Sequence, residues 1–357
     1  MKILLLSDSL GAGGAQRQLS GLAVMLKKIG HEIIVIYYHD DDFYRSYLIK
    51  NEVHSVLLKN ATGVIGRLIA VREFIKDFNP DWVIAYQETP SLLAALIRLS
   101  GIDFKLLVSE RNTTQRITLR DKLRFFLYRW ADSIVPNSYT QTHFLVNRYK
   151  WMIRKLTTIS NFVDLNHFNY IEKSRNEYPL ITIAASIWPP KNTIGFIEAV
   201  SILKNKDLKF RVKWYGYSSA NQEYFNDAIS LINKYGLNDY VELLPKTKEI
   251  NKAYSVSDYF CLPSFYEGVP NVIAEAMATG RPIICSSVCD NNRYVFEGEN
   301  GFLFDPHNPE SIATSIESAL AISDIQYLQM CKKSREFAEK LLSEESFIDK
   351  YIEILTK

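Results

Sequence analysis

Residues 260–286 read FCLPSFYEGVPNVIAEAMATGRPIICS. The apolar run 258–263 has the character of a strand, and so has RPIICSS at 281–287. Between them Gly268 and Pro270 interrupt the chain before VIAEAMA begins a helix. Strand, loop, helix and strand, with both strands continuously apolar, is the repeating unit of a parallel sheet covered on both faces. Seven residues separate two glutamates in this stretch: Glu267 in the loop at the strand's carboxyl end, and Glu275 about one turn into the helix. The N–H groups of a helix start attract anions, phosphate above all. Carboxylates accept hydrogen bonds from the hydroxyls of a sugar or ribose. A loop offering both suits a nucleotide sugar, although the pattern alone also fits two surface acids near a helix start.

The same alternation runs outward in both directions. KILLL (2–6), EIIVIYY (32–38), DWVIAY (81–86), KLLVSE (105–110) and DSIVPNS (132–138) read as strands, with helical patterns between most of them. It restarts with LITIAAS (180–186), FRVKWYG (210–216), YVELL (240–244) and the two strands quoted above, and ends at GFLF (301–304). The polar stretch 166–179 reads as a linker. The expected fold class is therefore α/β, with two doubly wound, Rossmann-like domains at 1–165 and 180–342 and a helical tail. In such sheets ligands bind outside the carboxyl ends of the strands, so the chemistry is expected in a cleft between the domains.

Bulk properties narrow the function. The 357 residues carry 42 Lys+Arg and 40 Asp+Glu, a net charge of +2, which gives no general reason to expect nucleic acid as a partner. The charge is split: residues 1–165 hold 22 basic and 15 acidic side chains, and 166–357 hold 20 and 25. Different partners for the two halves, or pairing across a domain interface, both fit this split. The four cysteines form no CxxC pair and the six histidines lack ligand spacing, so reduced thiols and no structural metal are expected. No signal peptide is visible, and no apolar run is long enough to span a membrane.

The quoted stretch closely resembles the signature of the retaining glycosyltransferases of family 4, which have the two-domain GT-B fold. Supporting segments are GAGGAQRQL (11–19), SERN (109–112), ISNFVDLNHF (159–168), AASIWPPKN (184–192) and ENGFLF (299–304). The resemblance implies that Glu275 binds the ribose of the donor, and that Glu267 grips the donor sugar. Backbone N–H groups of Gly268, Val269, Asn271 and Val272 would face sugar and diphosphate, while Pro270 has none to give. Lys191 matches the family lysine that pairs with the diphosphate, where a cation stabilises the leaving group. Gly13 and Gly14 would border acceptor and donor phosphates, with Arg17 reaching an acceptor phosphate; taken alone, the glycine pair also reads as a tight turn. The last helix, 343–357, would cross back to the N-terminal domain. No cofactor and no metal are expected, because the nucleotide sugar is a substrate.

Two departures from the family pattern matter. Ala185 and Ser186 stand where the family has a Gly-Arg pair, so Lys246 or Arg111 is the candidate replacement cation. Arg111 occupies the place of a family histidine, leaving Arg111 or Glu110 to face acceptor and donor; an ion pair between these two neighbours is the alternative.

Two basic stretches bear on the acceptor. In 116–133 Leu119, Leu123, Phe126, Leu127 and Trp130 form one apolar face among Arg116, Arg120, Lys122, Arg124 and Arg129, and 147–155 mixes aromatic residues with cations. Such helices either pack on the sheet or lie in an anionic membrane interface. The expectation is a cytoplasmic enzyme at the inner face of the cytoplasmic membrane. It would transfer a sugar, with retention, from a UDP-sugar to a saccharide or lipid-linked saccharide in bacterial surface polysaccharide assembly. A nucleotide-sugar epimerase and a degenerate, non-catalytic binding subunit are the alternatives.

Overall fold

The computed structural model describes residues 1–59, 61–114, 116–218, 221–269 and 271–357. Pro270, assigned above a helix-breaking role, lies outside the described residues. The chain divides into two compact units, 1–161 with 344–357, and 162–343.

The N-terminal unit runs β1 (Lys2–Leu6), α1 (Gly14–Lys28), β2 (Glu32–Tyr37), α2 (Arg45–Lys50), β3 (His54–Leu57) and α3 (Gly63–Phe78). It continues with β4 (Trp82–Tyr86), α4 (Glu88–Arg98), β5 (Lys105–Glu110), α5 (Leu119–Leu127), β6 (Ser133–Pro136) and α6 (Tyr139–Arg148). The C-terminal unit runs β7 (Leu180–Ala184), α7 (Thr193–Asn205), β8 (Arg211–Tyr217), α8 (Gln222–Tyr235), β9 (Val241–Pro245) and α9 (Ile250–Val256). It continues with β10 (Tyr259–Leu262), α10 (Asn271–Ala278), β11 (Ile283–Ser286), β12 (Gly301–Phe304), α11 (Pro309–Ala321) and α12 (Asp324–Leu342). The last helix, α13 (Glu344–Leu355), belongs to the N-terminal unit. There Tyr351 and Tyr86 join hydroxyl to hydroxyl at 2.8 Å, and the Trp82 indole donates to the Leu355 carbonyl at 3.2 Å.

Both sheets are parallel and have one topology. The strand orders are β3-β2-β1-β4-β5-β6 and β12-β11-β10-β7-β8-β9. Each therefore reverses direction between its first and fourth strands, β1 and β4 in one unit and β7 and β10 in the other. Connections leave that point toward opposite edges, opening a crevice at the carboxyl ends of the two strands. The central strands are buried throughout, as continuous apolar runs require: Ile3 to Leu6 and Tyr259 to Leu262 are all fully inaccessible. β3 escaped sequence reading because it is short, edge-placed and only half-buried.

The expected linker at 166–179 is instead part of the C-terminal unit, whose boundary falls after Asn161 rather than after residue 165. A buried acid fastens it. The Asp258 carboxylate accepts from Lys173 Nζ (2.7 Å), from the Asn176 N–H and Nδ2 (3.0 and 2.7 Å), and from the Leu180 N–H (2.7 Å). Arg281, fully buried, donates to the Ser257 and Thr279 carbonyls and to that of Ile171. The segment looked like a linker because its partners are polar and distant in sequence.

Asp258→Ala removes one shared acceptor and leaves several buried donors unpaired. We expect a loss of about 3 kcal/mol in the C-terminal unit, with faster proteolytic cleavage within 171–179. Unchanged cleavage and an unchanged melting profile would contradict this role.

Candidate functional site

In the C-terminal unit the two loops at the direction-reversal point are 185–192, after β7, and 263–269, after β10. The first is shaped by a close approach. A Cβ at Gly216 would sit 1.7 Å from the Ala185 carbonyl oxygen, so only glycine lets β8 run this near. The same carbonyl accepts from the Trp214 indole at 2.7 Å. Pro189, Pro190 and Lys191 form a 3-10 turn that ends at Asn192, whose backbone is left-handed (φ +57°) and whose amide donates to the Pro306 carbonyl at 2.7 Å.

The second loop meets the first. The Phe265 N–H donates to the Pro190 carbonyl at 3.0 Å. Lys191 Nζ donates to Glu267 Oε1 at 2.5 Å, and Ser264 Oγ donates to the same oxygen at 2.5 Å. Both charged side chains are largely buried, 24 % and 11 % exposed. Gly268 and Val269, in the loop before α10, and Asn271 and Val272, which open α10, are half-buried. Glu275, 5 % exposed, lies in the second turn and accepts from the Tyr254 hydroxyl at 3.3 Å. Thus Lys191 and Glu267 are in direct contact, with Glu275 one helix turn deeper. Ser264 and Tyr254 were not singled out from the sequence. Ser264 lies three residues before Glu267, a legible local relation; Tyr254 comes from α9, which no spacing connects to Glu275.

The remaining residues are distributed otherwise. Lys246 is exposed at the end of β9, the edge strand, and no bond joins its side chain to the Lys191–Glu267 pair. In the N-terminal unit Gly13 caps α1 and Gly14 opens it, with Arg17 half-buried in the first turn.

Glu110 requires correction. It is 2 % exposed and serves as an internal anchor rather than a ligand-facing acid. It accepts from Tyr128 Oη and from Gln141 Nε2 (3.5 Å), and pairs with the buried Arg124 at 3.2 Å. Burial pushes its carboxyl up, and Arg124 and Tyr128 pull it back. Its ion-pair partner is thus Arg124, not the neighbouring Arg111. Arg111 is 8 % exposed, lies 4.9 Å over the Tyr86 ring and donates to Ser109 Oγ and Asn161 Oδ1. These contacts give Arg111 a packing role within its unit.

The stretch 116–133 is also not one helix. α5 ends at Leu127, a 3-10 turn covers Tyr128–Trp130, and β6 follows. Phe125, Leu127 and Tyr128 face the core, whereas Leu119, Leu123, Phe126 and Trp130 are exposed by 83, 51, 50 and 38 %. In the second stretch Met152 is buried and Tyr149 packs on Phe125. Among the described residues no helix is long and apolar enough to cross a membrane, and no cluster of His, Cys, Asp or Glu is arranged to hold a metal.

Paired doubly wound units of this topology, with a cation and two acids at one reversal point, are the GT-B class of fold. Comparison with known proteins agrees. Residues 168–340 match the family model described as glycosyl transferases group 1, and residues 12–167 that of glycosyltransferase family 4. The chain belongs to this glycosyltransferase family and is an enzyme of that kind. An uncharacterized glycosyltransferase of Haemophilus influenzae is 26 % identical over 96 % of this chain and 95 % of its own. A Campylobacter jejuni alpha-1,4-N-acetyl-D-galactosaminyltransferase, named for a diNAcBac-PP-undecaprenol-linked saccharide, is 24 % identical over 96 % and 92 %. The crystal structure of Anabaena HepE in complex with UDP superposes with a TM-score of 0.86 at 17 % identity, covering all of both chains.

Proposed function

We propose that this enzyme transfers a sugar from a UDP-sugar to a hydroxyl of a lipid-linked saccharide, with retention at the anomeric carbon, in bacterial surface polysaccharide assembly. The observation that carries the reading is the Lys191–Glu267 contact beside the start of α10, with Glu275 one turn deeper. Glu275 holds the ribose hydroxyls. Glu267 holds hydroxyls of the donor sugar. Lys191 and the first N–H groups of α10 take the diphosphate, whose charge grows as the bond from the anomeric carbon to phosphate oxygen breaks. The acceptor oxygen attacks from the face the diphosphate leaves, and the departing phosphate oxygen receives the acceptor's proton. The Campylobacter relative's lipid-linked saccharide and HepE's bound UDP support the choice of substrates.

We further assign the exposed stripe Leu119, Leu123, Phe126 and Trp130 to an anionic membrane surface. A core-packed helix would bury these residues; here they face outward among Arg116, Arg120, Lys122 and Arg129. The departure at Ala185–Ser186 favours a second reading, a subunit that binds donor without turning it over. Sugar transfer to a lipid-linked acceptor separates the two.

Glu275→Ala is expected to weaken UDP binding by about 1–3 kcal/mol in calorimetry, because a buried acceptor of ribose hydrogen bonds is lost. Equal affinity would reject the ribose role. Flotation with phosphatidylglycerol vesicles should retain the wild type and release a Leu119→Ser/Leu123→Ser/Phe126→Ser variant. Equal flotation of both, or none of either, would remove the membrane assignment.

A further inference from the structure

A cluster in the N-terminal unit has no part in the donor site. Tyr38, just after β2, is 7 % exposed, and its buried hydroxyl meets no hydrogen-bond partner among the described residues. The Arg67 guanidinium of α3 lies 4.8 Å from the centre of its ring, and Arg67 Nε is likewise buried without a partner. Arg120, in the first turn of α5, donates to Thr89 Oγ1, in the first turn of α4, at 2.5 Å. Neither arginine forms an ion pair among the described residues. α4 packs against both α3 and α5, and Arg67 and Arg120 both act on the Tyr38 hydroxyl. A buried unpartnered hydroxyl is costly, and here it lies by Arg67, whose guanidinium covers its ring, and within the electrostatic reach of Arg120.

Of the acids nearby, Asp121 faces Arg120, and Asp8, after β1, bears on Tyr38. The Asp8 carboxylate is occupied by the Ser9 N–H (2.7 Å) and by Gln16 Nε2 (3.2 Å), and the Gln87 amide, oriented by this network, donates to it at 2.7 Å. Gln87 is itself held at φ +72°, ψ 175°, a backbone region that belongs almost entirely to glycine. Such strain persists where the surroundings fix a residue in place for a ligand. Burial, then Asp8, raises the Tyr38 hydroxyl above its ordinary value, against the pull of Arg67 and Arg120. The hydroxyl therefore stays protonated and offers a donor. The two guanidinium groups present donors only, and the Tyr38 hydroxyl can donate alongside them, the complement of an anion with several acceptor oxygens.

Apolar side chains border both cations. Val64 and Ile65 are 66 % and 72 % exposed in the turn before Arg67, and Leu119, 83 % exposed, precedes Arg120. We infer that Tyr38, Arg67 and Arg120 bind the phosphate of the acceptor, a diphosphate ester whose lipid chain runs along Val64, Ile65 and Leu119. This rests on the proposed transfer to a lipid-linked saccharide and names the part of the acceptor that the N-terminal unit holds.

Calorimetry with the full chain saturated in UDP tests it, since UDP then fills the donor site. Inorganic pyrophosphate should still bind the wild type, and Arg67→Gln and Arg120→Gln should each weaken it about tenfold. Tyr38→Phe should weaken it less, and all three should leave UDP affinity and the circular dichroism spectrum unchanged. Geranyl diphosphate should bind about fivefold more tightly than pyrophosphate, an advantage lost in Ile65→Ser/Leu119→Ser. No pyrophosphate binding under saturating UDP, or binding indifferent to both arginines, overturns the site. Equal affinity for both probes overturns the lipid assignment. Failure of UDP to bind overturns the donor reading instead, and pyrophosphate is then judged by its dependence on Arg67 and Arg120.

Discussion

A single charge contact organises the C-terminal unit's functional corner: the Lys191 ammonium bound to the Glu267 carboxylate at 2.5 Å. The two residues are 76 positions apart and belong to loops that follow different strands. They meet because β7 and β10 are neighbours in the sheet although two strands, β8 and β9, separate them along the chain. The Phe265 to Pro190 backbone bond locks the loops together, and Gly216 lets the first of them lie close over β8. Under the proposed function the contact has a further consequence. A lysine held by one partly buried carboxylate is already ordered, so less side-chain entropy is lost when a diphosphate arrives.

Much of this was legible in the sequence because parallel strands buried on both faces must be continuous apolar runs. Eleven of the twelve strands among the described residues announce themselves that way, and the order of strands and helices then leaves few topologies. Glu267 and Glu275 were placed along their elements for a different reason, the glycine, proline and helix pattern around them, whereas Lys191 was singled out only by the resemblance to the family. Where a polar side chain is positioned by long-range burial, sequence reasoning failed. Glu110 looked like a site acid at a strand end, but Arg124, Tyr128 and Gln141 close around it. The 166–179 stretch looked loose because Asp258, which pins it, lies some eighty residues away. Tyr38 gave no signal at all, since its meaning depends on arginines from two other helices.

The two units share a topology and use it differently. At its reversal point the C-terminal unit pairs a cation with two acids, a mixed set suited to a sugar diphosphate with hydroxyls at both ends. At the corresponding place the N-terminal unit has an amide-satisfied acid, Asp8, and brings Arg67 and Arg120, which form no salt bridge among the described residues, to bear on Tyr38. Exposed apolar residues occur in both units and are more numerous in the N-terminal one. Val64, Ile65, Leu119, Leu123 and Phe126 all lie in the N-terminal unit, which is also the basic one. A donor that is soluble and an acceptor that is anchored in lipid would call for this asymmetry.

The central claim is that Lys191 is the diphosphate's cation. Titration calorimetry of UDP and of uridine against wild type and Lys191→Ala measures it most directly, because uridine lacks the diphosphate and shares the base and ribose. The account predicts that wild type prefers UDP to uridine by about a hundredfold, and that Lys191→Ala loses most of that preference while binding uridine as before. A Lys191→Ala protein that still prefers UDP to the wild-type degree would contradict it.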